Sequence, residues 1–395
     1  MKHKSAILLA SALTLSACAT LERPENSSGS IYATQQGSRT GQIVAPQCHP
    51  ATVPAEVQNL RHVATSDLAE VPDLLAAGDR LRLDVSGDKD QLTRTYVIAA
   101  DGTILLQGQL RIRAAGKTVP LLQAEIAQLL VAGELVRNIS NGVRITQVEL
   151  GGVTVSITGA VFEKGNVRVG ERQAEVRELN ISNDVAGDMN VGRTVTTALR
   201  AAGGVRPDAD PRTVYLIRGD LWTTLDLSGA LDGTVVNDLP VTAGDRIIVP
   251  SVGCAQNHMV RPSAITTPGI RVYMSNLSRP ALNNASSSID KETTSLPYGT
   301  RFLQGLVTAN CVGGSAMNAG RSAVLISRNP VNGQSIVISR SVERLVREAD
   351  RDAYDPYLMP GDSIACYDST AMNLRDVIST VGEVVSPYVL FNSVN

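Results

Sequence analysis

LLAAGDRLRLDVSG, residues 74–87, decides how this chain is to be read. Gly78-Asp79 is a turn signal, and Leu81, Leu83 and Val85 then alternate with polar residues, the period of a strand with one buried face. The Gly-Asp turn into a strand returns twice, in VTAGDRIIVPS (241–251) and LMPGDSIACYDS (358–369). Each return is preceded by a glycine-terminated helix pattern, GRTVTTALRAAGGV (192–205) or GTRFLQGLVTANCVGG (299–314). An apolar run follows each helix, TVYLIRG (213–219) or AVLISRN (323–329). The chain thus repeats one unit, helix, strand, variable insertion and turn into a last strand, at a spacing of roughly a hundred residues. The expected fold class is α+β, made of small sheet-plus-helix modules.

The stretch around residues 74–150 extends the pattern. TYVIAADGTILL (95–106) sets Asp101-Gly102 between two alternating runs, a hairpin signal because both turn positions tolerate positive φ. Thr118 is placed to cap a helix with Leu122, Ile126, Leu129 and Leu130 on one face. Further strands are expected at 143–148 and 153–161. Gly116-Lys117-Thr118 is no phosphate loop, since Arg111 stands where that loop needs its first glycine.

The two ends of the chain carry different information. MKHKSAILLASALTLSACAT (1–20) has a basic start, an apolar run too short to span a bilayer, and small residues before a cysteine. Leu15-Ser16-Ala17-Cys18 resembles a bacterial lipobox, which makes Cys18 the expected lipid attachment site, and Ala19 after it implies outer-membrane sorting. Several acyl chains, at about 0.8 kcal/mol per buried methylene, form a stable anchor. Residues 23–47 are polar and rich in Gly and Ser, the composition of a tether. At the far end, NLRDVISTVGEVVSPYVLFNSVN (373–395) is amphipathic at helical period. Leu374, Val377, Ile378, Val381, Val384, Val385, Tyr388, Val389 and Phe391 fill one arc of about 160°. Arg375, Asp376, Ser379, Thr380, Glu383 and Ser386 lie opposite. Residues 373–391 would span about 28 Å, close to a bilayer core, although Pro387 removes the bond to the Glu383 carbonyl.

Composition narrows the function classes. Loss of residues 1–17 leaves 378 residues and, with Lys2 and Lys4 gone, takes the formal charge from −2 to −4. That balance argues against a nucleic-acid surface, which needs clustered positive charge. His49, His62 and His258 occupy no triad or metal-ligand spacing, and Tyr96, Asp101 and Asp245 read as strand and turn residues, so an enzyme is not expected and neither cofactor nor metal is implied. A glycosidase built on two spatially paired carboxylates is the remaining catalytic possibility. Cys48, Cys254, Cys311 and Cys366 allow three disulfide connectivities in an oxidising compartment.

A lipobox, a GDRLRLDV…YVIAADGTI…AAGKT module, two Gly-Asp repeats and a lone terminal amphipathic helix, in that order, resemble the outer-membrane polysaccharide export lipoproteins of the Wza type. The resemblance implies a signal peptide at 1–17, a lipidated N-terminus and tether at 18–71 and a polysaccharide export domain at 72–150. It further implies β-grasp domains of the soluble-ligand-binding (SLBB) kind at 151–256 and 257–370, and an outer-membrane helix at 371–395. It also implies a homo-oligomeric ring, typically octameric, whose helices form a channel for capsular polysaccharide or exopolysaccharide. Its partners would be that polymer, the outer membrane and an inner-membrane polysaccharide copolymerase or ABC exporter, with no nucleic acid. The polar arc of the terminal helix would then line the pore and the apolar arc would face lipid or neighbours, because an isolated ionisable face in hydrocarbon is costly. Cys311, at the end of the second repeat's helix, and Cys366, in its closing strand, are the expected pair, leaving Cys48 with Cys254. The competing reading is a periplasmic sugar-binding or scaffolding lipoprotein without a pore, which shares every feature except the spanning helix.

Overall fold

The computed structural model of the chain describes residues 48–71, 73–88, 92–106, 110–137, 142–171, 190–276, 295–312, 321–329, 333 and 335–367. They form two compact units, one holding the described residues up to 270 with 295–300, the other holding 271–276 and 301–367. Helices and several small sheets are mixed in an α+β arrangement.

The leading module of the first unit is a three-stranded antiparallel sheet with Arg80–Val85 between Arg94–Val97 and Val143–Glu149. Leu81, Leu83 and Val85 point inward and are buried, whereas Arg80, Arg82 and Asp84 stay half-exposed. The helix Val119–Ala132 packs on the same core, and the Thr118 side chain accepts the Leu121 N–H at 3.4 Å. Leu122, Ile126 and Leu130 are fully buried, contributing about 1.5–3 kcal/mol each. Leu129, expected beside them, is 40% exposed, because a four-residue step keeps the other three in line and leaves Leu129 at the edge of the stripe.

Asp101-Gly102 turns the chain as read, with Gly102 at φ 81° and Ala99 N–H donating to the Thr103 carbonyl at 2.8 Å. The flanking strands, however, do not ladder with each other. Arg94–Val97 pairs with Arg80–Val85, and Thr103–Leu106 pairs with Leu110–Arg113. Ile104, Leu106 and Ile112 join the core of Leu81 and Leu83, so the second ribbon turns its apolar side onto that core instead of extending the sheet.

The first repeat is a six-stranded sheet in the order Arg61–His62, Leu221–Leu225, Val214–Arg218, Arg246–Val249, Val153–Gly159, Gly165–Val169. Arg246–Val249 runs parallel to Val153–Gly159 and antiparallel to Val214–Arg218. Both faces are covered. The helix Val195–Ala201, capped by Thr194, shares one core with Leu216, Ile247 and Val249. On the other face, Tyr215, Ile217 and Ile248 meet Val57, Leu60 and Trp222.

Residues 48–71, assigned to the tether from sequence, are therefore a strap belonging to this sheet. Arg61 and His62 pair in parallel with Leu221 and Trp222, the Trp222 indole donates to the Leu60 carbonyl at 3.1 Å, and Leu68 is fully buried. A strap of one two-residue strand, a 3-10 turn and a five-residue helix has no sustained period, which is why no folded element is expected there from sequence.

The second unit repeats the first's topology. Tyr273–Asn276 runs parallel to Ser363–Tyr367, which is antiparallel to Ser322–Arg328, which is antiparallel to Ser335–Ser341. Those strands correspond in order and sense to Val153–Gly159, Arg246–Val249, Val214–Arg218 and Leu221–Leu225. The variable insertion of each repeat supplies the hairpin strand, and the helix Phe302–Thr308 takes the place of Val195–Ala201.

One glycine is required by close approach. Gly159 ends its strand at φ 91°, and a Cβ there would stand 1.9 Å from the Val249 carbonyl oxygen. Gly159→Ala is expected to cost about 2–3 kcal/mol through backbone strain and displacement of the neighbouring strand. Chemical denaturation followed by Trp222 fluorescence checks this, since Trp222 is the chain's one tryptophan and sits in this module.

Candidate functional site: buried carboxylates and the module junction

The Gly-Asp turns are one device used three times. Gly78, Gly244 and Gly361 have φ of 95°, 86° and 84°, and the aspartate after each is buried. Each carboxylate reaches back to the backbone N–H three residues earlier: Asp79 to Ala76 at 2.8 Å, Asp245 to Thr242 at 2.9 Å, Asp362 to Met359 at 2.8 Å. The buried side chain thus satisfies a donor that the turn would otherwise orphan, and fixes the strand that follows.

What else each carboxylate holds differs. Asp79 accepts from Gly151 N–H at 2.7 Å and from the Gln147 amide at 3.0 Å, tying its turn to the end of the module's last strand. Asp245 accepts a two-pronged contact from Arg218 at 3.1 and 2.9 Å. In the second unit Ser327 occupies the register position of Arg218 and donates its hydroxyl to Asp362 at 2.5 Å. Burial pushes the Asp362 carboxyl up to about 7, against the pull of the Met359 N–H and the Ser327 hydroxyl. Burial likewise raises Asp79, opposed by the Ala76 and Gly151 N–H groups.

Two of these turns meet at the junction of the leading module and the first repeat. Arg193, at the start of the repeat's helix signal, is almost fully buried and reaches Asp73 of the leading module at 3.0 Å. Its Nε donates to the Val241 carbonyl at 3.3 Å. Asp73 is raised by burial and lowered by Arg193 and Arg218, and Arg193 also lowers Asp79. Arg218 completes the network by donating to the Leu68 carbonyl of the strap at 3.2 Å and to Pro240 at 2.9 Å. Asp73, Arg193 and Arg218 were not singled out from sequence. Arg193 and Arg218 lie inside the quoted repeat segments, but nothing in the spacing shows that their charges are buried together. Chemically the arrangement is a lock: its carboxylates accept from backbone amides and guanidinium groups, which positions the leading module on the first repeat.

Cys48, Cys254, Cys311 and Cys366 form two disulfides, Cys48–Cys254 in the first unit and Cys311–Cys366 in the second. Cys18, the pore-lining set Arg375, Asp376, Ser379, Thr380, Glu383 and Ser386, and the lipid-facing set Leu374, Val377, Ile378, Val381, Val384, Val385 and Tyr388 lie outside the described residues. Among the described residues no helix is long and apolar enough to cross a membrane, and the helix expected at 371–395 lies outside the described residues.

Residues 69–146 match the model of the polysaccharide biosynthesis/export protein family. No curated protein matches the chain. The match covers the leading module, from the end of the strap to the last strand of its sheet, and stops short of both repeats. The chain carries a polysaccharide export domain at residues 69–146, and its leading module is that domain.

Proposed function

We propose that the chain is a subunit of an outer-membrane translocon, an oligomeric channel through which capsular polysaccharide or exopolysaccharide leaves the cell. The observation that carries this reading is the export domain at 69–146, set in a chain that opens with a lipobox and closes with an amphipathic helix pattern. The two repeats act as β-grasp domains that follow the export domain in sequence, at 151–256 and 257–370. Their common strand order supports reading them as two copies of one domain, and the buried Asp73–Arg193 contact ties the export domain to the first repeat. Cys18 carries the lipid, and helices from 371–395 of several copies close a ring with Ser379 and Glu383 toward water and Val381 and Val385 toward lipid or a neighbour. A polymer synthesised inside would reach this subunit from an inner-membrane copolymerase or ABC exporter.

Single cysteines introduced at these four positions, in membranes from export-competent cells, test the reading. Ser379→Cys and Glu383→Cys are expected to react with an impermeant maleimide at least tenfold faster than Val381→Cys and Val385→Cys. Equal labelling of both arcs, or normal export by a chain ending at Asn373, would overturn the pore and leave a periplasmic sugar-binding or scaffolding lipoprotein.

A further inference from the structure

A cleft of about 270 Å³ opens in the first repeat where the strap crosses the exit of the strand Leu221–Leu225. Its polar lining residues are Thr65, Thr224, Asp226, Ser228, Thr234 and Asn237. No Lys or Arg contributes to it. The rims are fixed in advance. Asp226 Oδ1 accepts from the Ser228 N–H at 2.9 Å and the Ser228 hydroxyl at 2.6 Å, and Asp232 Oδ1 does the same for Thr234 at 3.0 and 2.7 Å. Gly229 allows the two rims to approach, since a Cβ there would lie 2.8 Å from the Thr234 carbonyl oxygen. The Asn237 amide and the second oxygen of Asp226 have no partner among the described residues.

We propose that this cleft is a saccharide subsite that takes one or two neutral or amino-sugar residues and rejects acidic ones. The choice of a saccharide rests on the export reading; the charge selectivity rests on the cleft alone. The Ser228 and Thr234 hydroxyls, whose protons go to Asp226 and Asp232, keep lone pairs that accept, and the Asn237 amide both donates and accepts, a set that matches the hydroxyls of a polyhydroxylated ring. A uronate or phosphate would meet the Asp226 carboxylate with no cation to offset it, whereas a protonated amine would gain a charge-assisted hydrogen bond. The volume lies at the low end for ligand pockets, which suits a short segment held weakly and released.

Binding of a neutral glucan hexamer, a glucosamine hexamer and a galacturonate hexamer to the detergent-solubilised full chain tests the assignment, read by ligand-observed NMR and calorimetry. The glucan and glucosamine hexamers are expected to bind with Kd in the millimolar range and the galacturonate hexamer at least tenfold more weakly. Asn237→Ala should weaken the first two about fivefold. Asp226→Asn, which keeps the acceptor for Ser228, should spare the glucan, abolish the preference for glucosamine and admit galacturonate. Val235→Lys adds a cation at a rim position that is 97% exposed, and so draws galacturonate in without disturbing the fold. Absence of binding, equal binding of all three hexamers, or indifference to all three variants overturns the subsite. Ring formation and polymer export by the same variants separate the two readings: binding that ignores the cleft, with export intact, removes the subsite and leaves the translocon, and charge-selective binding by a chain that forms no ring does the reverse.

Discussion

Asp245→Ala is expected to cost the first repeat about 3–5 kcal/mol, the range for removing one partner of a buried ion pair. The Asp245 side chain is 1% exposed and that of Arg218 11%, so water does not replace the lost carboxylate. The substitution orphans the Thr242 N–H and the Thr242 hydroxyl and leaves the buried Arg218 charge with only the Leu68 and Pro240 carbonyls. It also frees the turn whose backbone carbonyl accepts the Ser156 N–H, the first link of the parallel ladder. Asp245→Asn retains an acceptor and should cost less than half as much. Asp232→Ala, at an exposed turn, should stay within about 1 kcal/mol, because its side chain serves only a local turn. Urea denaturation of the full chain in detergent, followed by Trp222 emission, ranks the three. If Asp245→Ala and Asp232→Ala cost the same, the buried carboxylate does not fix the turn.

The same turn in the second unit should respond to pH. Asp362 sits near 7 when folded and near the ordinary value of about 3.9 when unfolded, so between these pH values the folded unit binds the extra proton. Stability is therefore greatest below about pH 4, falls as pH rises to about 7 and is level above it, a total loss of roughly 4 kcal/mol. The reason is an exchange at one register position: Ser327 offers a hydroxyl where Arg218 offers a cation, and the Met359 N–H is the other donor to the carboxylate. Hydrogen exchange of the amides in Ser322–Arg328 at pH 5 and pH 8 measures the effect, with Asp362→Asn expected to remove the difference. A carboxyl resonance for Asp362 that titrates below 5 refutes it.

Much of this architecture was legible in the sequence because it rests on short-range signals. The alternation of Leu81, Leu83 and Val85, the cap at Thr118 and the three Gly-Asp turns each need only a few neighbouring residues, and the structure places strand, helix and turn accordingly. The pairing of Thr103–Leu106 with Leu110–Arg113 was not legible, because a turn at Asp101-Gly102 fixes where the chain reverses and not which edge it then joins. The hairpin strands Leu221–Leu225 and Ser335–Ser341 were hidden in the variable insertions, whose sequences differ where their positions do not. The strap was missed for a related reason: Val57, Leu60 and Leu68 acquire meaning only when the opposite face of the sheet is known to need cover. The junction depends on Arg193 and Asp73, separated by 120 residues, and no local pattern announces a contact at that range.

The strap also sets the path of mechanical tension. Cys48 is joined to Cys254 across a sequence separation of 206, and the His49 N–H holds the Val252 carbonyl at 2.9 Å. A pull arriving through the residues before Cys48 therefore crosses a covalent bridge directly to the far end of the first repeat. The export domain, lying wholly within that closed loop, is out of line with the load. Reduction of this one bond would reroute the same pull through the Leu68 carbonyl and the two backbone bonds of the edge strand, from the Arg61 N–H to Asp220 and from the Val63 N–H to Trp222.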